Sequence, residues 1–314
     1  MIKININETT KNEFCSNVMN SFKNNKHLVK KKNKKLIFDK SLLEINILIR
    51  KKLSKVYKDI SLEKLIFADY EYMKKIVEFI DNNKIYTKLT IREKDIFLTM
   101  YSRLNNAQHI KNLDINVCPY CNRNYIFNFR KNNSAQATAQ LDHFFDKKTY
   151  PFFAVSMYNL VPSCATCNQR KSSKNENIFY PYAESFNDSM AFDFRIMYTD
   201  ENFVINKDFF SKDRIKILYD IKNEENKVEA HMKLFNIKEL YNEHKDIISE
   251  LVQRRLIYSD SYISSLHKEF DGVFESKDEI DKLITCNYTK PEDINKRPLS
   301  KLSIDISKEL GLIK

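Results

Sequence analysis

Apolar positions over roughly the first 110 residues recur every three or four residues, not every second one, which is the period of a helix buried on one face. Leu42, Ile45, Ile49, Leu53 and Val56 fall on one such face and predict a helix. A second helix is expected from Ser61 to Ile80. Thr90 and Glu93 have the spacing of a capping box and predict a third start, running through Ile96 and Phe97. The pattern changes between Val117 and about Tyr182, where prolines, cysteines, a histidine and short β-type runs such as Tyr125-Ile126-Phe127 replace it. Helical spacing then returns. Asn236 and Glu239 suggest a capping box that opens a long helix, with Ile237, Tyr241, His244, Ile248 and Leu251 on one face, continuing past Tyr258. Ser276 with Glu279 and Thr289 with Glu292 suggest two further starts. The expected layout is mainly α: helical N- and C-terminal regions, residues 1–111 and 183–314, around a compact module at 112–182.

Composition agrees with that layout, because 2 Gly and 6 Pro in 314 residues leave few positions that break a helix. The net charge of +11 favours a polyanionic partner such as nucleic acid, although lysines that are merely solvated account for it equally well. The basic run from Lys23 to Lys35 carries the same ambiguity, between a backbone-binding arm and a solvated loop. No apolar run reaches the ~20 residues of a membrane span, and the N-terminus lacks a signal-peptide core, so a cytoplasmic protein is expected. Thiols stay reduced there, and the six cysteines need a reason other than disulfides.

Four of them supply one. Cys118-Pro-Tyr-Cys121 and Cys164-Ala-Thr-Cys167 are two CxxC knuckles, each able to aim both thiolates at one point. Together they offer the four soft ligands of a closed structural zinc site. Cys15 and Cys286 have no such partner and read as ordinary small apolar residues.

Between and after the knuckles stand Leu141-Asp142-His143-Phe144-Phe145-Asp146-Lys147, then Tyr158-Asn159-Leu160-Val161-Pro162-Ser163, then Asn168-Gln169-Arg170-Lys171. These blocks, in this order from Cys118 to Lys174, resemble the HNH (ββα-metal) endonuclease superfamily. More narrowly they resemble the HNH effectors of Septu- and retron-type bacterial anti-phage systems. The resemblance implies metal-dependent hydrolysis of phosphodiester bonds, with DNA ahead of RNA as substrate. Asp142 would be the first ligand of a catalytic Mg²⁺ or Mn²⁺ and His143 the general base. Asn159 would brace the histidine loop. Asn168, where many relatives carry histidine, would be the second ligand. Ser163 is a plausible N-cap for a helix through Lys171, on or near which Arg170, Lys171 and Lys174 are expected to contact phosphates. The resemblance also implies a partner, an ABC-type ATPase. Two alternatives stay open on the residues alone: a zinc module that binds nucleic acid or regulates without cutting, and an RNA-cleaving toxin. His109 and His244 have no specific support as functional residues.

Overall fold

The computed structural model describes residues 2–23, 42–132, 134–174, 176–184, 191–199, 214–270, 272–274 and 276–313. The basic run after Lys23 lies outside the described residues. The chain is 53% helix and 12% strand, so its sheets are local devices and not the frame of the fold. No helix among the described residues is long and apolar enough to cross a membrane. Contacts divide the chain into two compact units built from non-consecutive stretches.

One unit comprises Ile4–Asp114 and Asn128–Asn175. Its helices are α1 (Glu8–Lys23), α2 (Leu42–Leu53), α3 (Leu62–Ile66), α4 (Tyr70–Asn82), α5 (Ile91–Ser102) and α6 (Asn106–Asn112). The α2 face buries Ile45, Ile49 and Leu53 as the spacing requires. At the start of α5 the capping box forms. Glu93 N–H donates to Thr90 Oγ1 at 3.2 Å and Thr90 N–H to the Glu93 carboxylate at 2.7 Å. The single helix expected from Ser61 to Ile80 is two. Ser61 caps α3, Phe67 closes it, and Asp69 opens α4 by accepting from Tyr72 N–H at 2.8 Å. An Asp inside an apolar pattern is a stronger start signal than the periodicity that runs through it.

Three further elements follow the helices in this unit. Strands β1 (Asn128–Lys131) and β2 (Ser134–Ala137) form an exposed antiparallel hairpin against α6. Strands β3 (Gln140–His143) and β4 (Leu160–Ser163) form a second hairpin, with Asp142 opposite Val161 and His143 opposite Leu160. Helix α7 (Ala165–Lys171) follows at once and packs on β3. The segment between β3 and β4 is anchored to the helices. Phe152 meets Phe97 edge-on at 5.1 Å, Ser156 Oγ donates to the Leu65 carbonyl, and Tyr150 O–H reaches the Asp81 carboxylate at 3.0 Å.

The other unit comprises Met1–Lys3, Ile115–Phe127 and Glu176–Lys314. The periodicity did not reveal its hairpin, β5 (Phe192–Tyr198) with β6 (Ile215–Ile221). Helices α8 (Glu225–Phe235), α9 (Ile237–Asn242), α10 (Lys245–Ile257), α11 (Asp260–Glu269), α12 (Lys277–Thr285) and α13 (Ser300–Glu309) complete it. Two carboxylates of α13 accept from β5: Asp305 from Phe194 N–H at 3.0 Å and Glu309 from Ile196 N–H at 2.9 Å. Edge donors of the strand are thereby satisfied without another strand.

Several expected boundaries differ. Asn236 holds the N-cap position of α9 but its side chain makes no cap bond: it adopts φ 51° and links α8 to α9, a left-handed joint that Asn tolerates. The long helix beyond it breaks at Glu243–His244. Ser276 does precede α12, but its side chain makes no cap bond. Thr289 and Glu292 lead only into a single 3₁₀ turn at Pro291–Asp293. Tyr125 makes an isolated bridge to Val117 rather than a strand, and it stacks on Phe127 with both rings exposed. Cys286, expected to be apolar packing, is exposed and closes α12 with a φ of 51°.

Candidate functional site

The first knuckle is held by backbone and by three buried side chains. Cys118 N–H donates to the Asn124 carbonyl at 2.9 Å, and Asn122 N–H closes back on the Cys118 carbonyl at 2.9 Å. Asn122, with φ 49° and no exposed surface, sends its amide to the Ile294 carbonyl and accepts from Lys301 N–H. Tyr241 O–H donates to the Cys121 carbonyl at 2.7 Å. His231 Nε2 meets the Tyr120 carbonyl at 2.8 Å, so that nitrogen carries the proton, and burial lowers its pKa to about 3. Nothing in the local sequence marks these supports, because His231 and Tyr241 come from α8 and α9 and the partners of Asn122 lie before and within α13.

Cys164 stands at the N-cap of α7 and Cys167 lies in its first turn. Ser163, expected to cap the helix, instead ends β4, and its hydroxyl faces the Gln140 carbonyl at 3.4 Å. The four sulfur atoms lie within 4.8 Å of one another, all four residues are buried, and none forms a disulfide. A tetrahedral Zn–S₄ site places its sulfurs about 3.8 Å apart. The cluster therefore suits a structural zinc, whose charge four buried thiolates would offset.

The second constellation lies along β3, β4 and α7. Asp142 is 3% exposed and His143 7% exposed, a depth at which ionisable groups require partners. His143 Nε2 lies 3.1 Å from the Ala154 carbonyl. A carbonyl only accepts, so Nε2 holds the proton and Nδ1 carries the free lone pair. Burial, followed by the charge of Lys147, lowers the pKa of His143 to about 3, so the ring is neutral near pH 7. Tyr101 of α5 packs against the ring and meets the imidazole at 4.5 Å in a T-shaped contact.

Asn159 is fully buried and clamps the loop after β3. Its Oδ1 accepts from Phe145 N–H at 2.7 Å, while Nδ2 donates to the Phe145 and Phe153 carbonyls at 3.0 and 3.1 Å. Asn168 donates from Nδ2 to Gln140 Oε1 at 2.6 Å, which ties the α7 face that carries it to β3. Lys171, one turn later on that face, reaches Asp142 Oδ2 at 3.3 Å. Asp142 and Asn168 are thereby brought to one side of the helix–hairpin junction.

Lys171 is not placed for the phosphate contact expected of it. It is 1% exposed, and its ammonium donates to the carbonyls of His143 and Phe144 at 2.9 and 2.8 Å. A lysine with every proton directed inward is a structural cation. Arg170 is half-exposed and Lys174 exposed, which leaves both free to meet solvent-side phosphates. His109 is buried against Phe14 with neither ring nitrogen hydrogen-bonded, and His244 is half-buried at the start of α10.

No family model, curated protein or solved structure matches the chain. The chemistry of the site must be argued from its own geometry. Two residues the sequence did not single out belong to that geometry: Tyr101, and Lys147, whose ammonium lies 4.2 Å from the Tyr101 ring centroid. A signal for Lys147 was present in its closeness to His143. None existed for Tyr101, which stands 42 positions upstream of the histidine.

Proposed function

We propose that the chain is a metal-dependent endonuclease of the HNH type, with a zinc-stapled ββα-metal module that hydrolyses phosphodiester bonds. One observation carries the reading: a buried, neutral His143 whose Nε2 is tied to a backbone carbonyl, leaving Nδ1 as an unprotonated acceptor one residue along β3 from the buried Asp142. Buried ionisable groups are costly, and they cluster where chemistry needs them. The donor set fits a hard divalent cation, because Asp142 offers a carboxylate oxygen and Asn168 an amide oxygen. Mg²⁺ or Mn²⁺ held by these two would polarise the scissile phosphate and stabilise the leaving oxygen.

The chain's own residues supply the rest. His143 accepts a proton from the attacking water at Nδ1 while the Ala154 carbonyl holds the ring in that tautomer. An anionic phosphodiester beside the ring raises its basicity from the low value set by burial. Asn159 holds the loop on which His143 depends, and Arg170 and Lys174 contact flanking phosphates. The net charge of +11 suits a polyanion, and the resemblance of the motif blocks puts DNA ahead of RNA. The anti-phage role and the ABC-type ATPase partner rest on the resemblance of the motif blocks.

A second reading draws on the Lys171–Asp142 pair. A carboxylate already neutralised by a buried ammonium binds a divalent cation less strongly, as a zinc module that holds nucleic acid without cutting would show. The deciding experiment incubates purified protein with plasmid DNA and with total RNA, in Mg²⁺ or Mn²⁺, beside His143→Ala. Cutting by the wild type alone supports the nuclease. Binding to either nucleic acid with no cutting by the wild type supports the second reading.

A further inference from the structure

Three lysines surround the His143 loop, and the structure gives them three different fates. Lys171 is buried and fully hydrogen-bonded, and Lys148 is exposed. Lys147 is neither. It is half-buried and, among the described residues, makes no ion pair and no hydrogen bond. Its ammonium rests on the face of Tyr101, 4.2 Å from the ring centroid. The same ring receives His143 at 4.5 Å, so lysine and histidine share one aromatic platform. Burial lowers the pKa of Lys147, against the charge of neighbouring Asp146, and the lysine's own charge acts on His143.

The backbone under Lys147 is held as well. Asp146 accepts from Thr149 N–H at 3.1 Å and from its hydroxyl at 3.0 Å, and Tyr150 N–H donates to the Asp146 carbonyl at 2.8 Å. A hydrogen-bonded turn thus carries a long side chain whose cation touches an aromatic face and makes no ion pair or hydrogen bond among the described residues. Such a contact is weaker than a charge-assisted hydrogen bond to a phosphate oxygen. A phosphodiester arriving at His143 offers the stronger partner within reach of the lysine stem.

Resting on the phosphodiesterase reading, we propose that Lys147 is a further catalytic residue, which leaves the Tyr101 ring to contact a non-bridging oxygen of the scissile phosphate. The contact strengthens as negative charge builds on that oxygen during attack. Its effect therefore belongs mainly to turnover and not to substrate affinity.

The test measures kcat and KM separately on plasmid DNA with Mg²⁺ or Mn²⁺, for the wild type and for Lys147→Ala, Lys147→Met, Lys147→Arg and Lys148→Ala. Melting temperature and zinc content of each confirm the fold, and Lys147→Met keeps an aliphatic stem on the ring should the alanine variant be unstable. Loss of kcat by about 100-fold in the Ala and Met variants, with KM within about threefold, partial rescue by Arg and no effect of Lys148→Ala, is the expected result. Lys147→Met cutting at the wild-type rate overturns the assignment while leaving the nuclease intact. An equal loss in Lys148→Ala, confined to KM, overturns it in favour of general surface charge. A wild type that cuts neither DNA nor RNA removes the phosphodiesterase reading and this assignment with it.

Discussion

Two antiparallel hairpins follow one another between Asn128 and Ser163, each with four residues per strand, and they have opposite fates. The first, β1–β2, has no buried residue and carries Arg130, Lys131 and Gln136 outward. The second, β3–β4, buries all but Gln140 of its eight residues, Asp142 and His143 included. Strand geometry does not separate them. What separates them is that the second is enclosed by α5, by the Pro151–Ser156 segment and by α7, and each polar group it buries has been given a partner. The lesson is that a polar strand can be interior when the surrounding chain satisfies it, and such a strand is where function is to be sought.

The comparison breaks most completely at Cys164, the residue that joins β4 to α7. Cys164→Ser removes one thiolate from the four-sulfur cluster, and zinc content by elemental analysis should fall from about one per chain to near none. Structural zinc sites contribute on the order of 10 kcal/mol, so a large fall in melting temperature accompanies the loss. Zinc retained at wild-type level would show that the cluster is not the ligand set.

Lys171→Met comes next. It leaves Asp142 and two carbonyls buried without their cation and should cost about 3–5 kcal/mol in urea unfolding. A loss below about 0.5 kcal/mol, the size typical of surface changes, would mean that Lys171 is solvated and free for phosphates after all. Asn159→Ala strips three hydrogen bonds from the buried loop and should cost about 1–3 kcal/mol for each group left unsatisfied, within a total reduced by relaxation. The smallest effect belongs to the outer hairpin: Arg130→Ala and Gln136→Ala should each stay within about 0.5 kcal/mol of the wild type. Larger losses there would show that β1–β2 is not the solvated hairpin its exposure describes.

Much of this arrangement is legible locally. The capping box at Thr90 and Glu93, the α2 face and the two CxxC knuckles are short-range signals, and each forms as its spacing implies. Periodicity misjudged helix ends, at Asp69 and at Asn236, because a single residue that accepts a cap bond or takes a left-handed φ outweighs several apolar neighbours. The β5–β6 hairpin was missed for a related reason. Its donors are satisfied by Asp305 and Glu309, more than 100 positions away, and nothing in the strands announces that.

By itself, then, the sequence determined the helical character of the chain and the gathering of four of its cysteines into one four-sulfur set. These follow from spacing within a turn or a knuckle, where a few residues interact directly. Only the tertiary structure decided which lysine is buried, which is solvated and which waits on Tyr101, and that His143 is neutral with Nδ1 free. Those outcomes depend on burial and on partners brought from distant helices, and an isolated motif has neither.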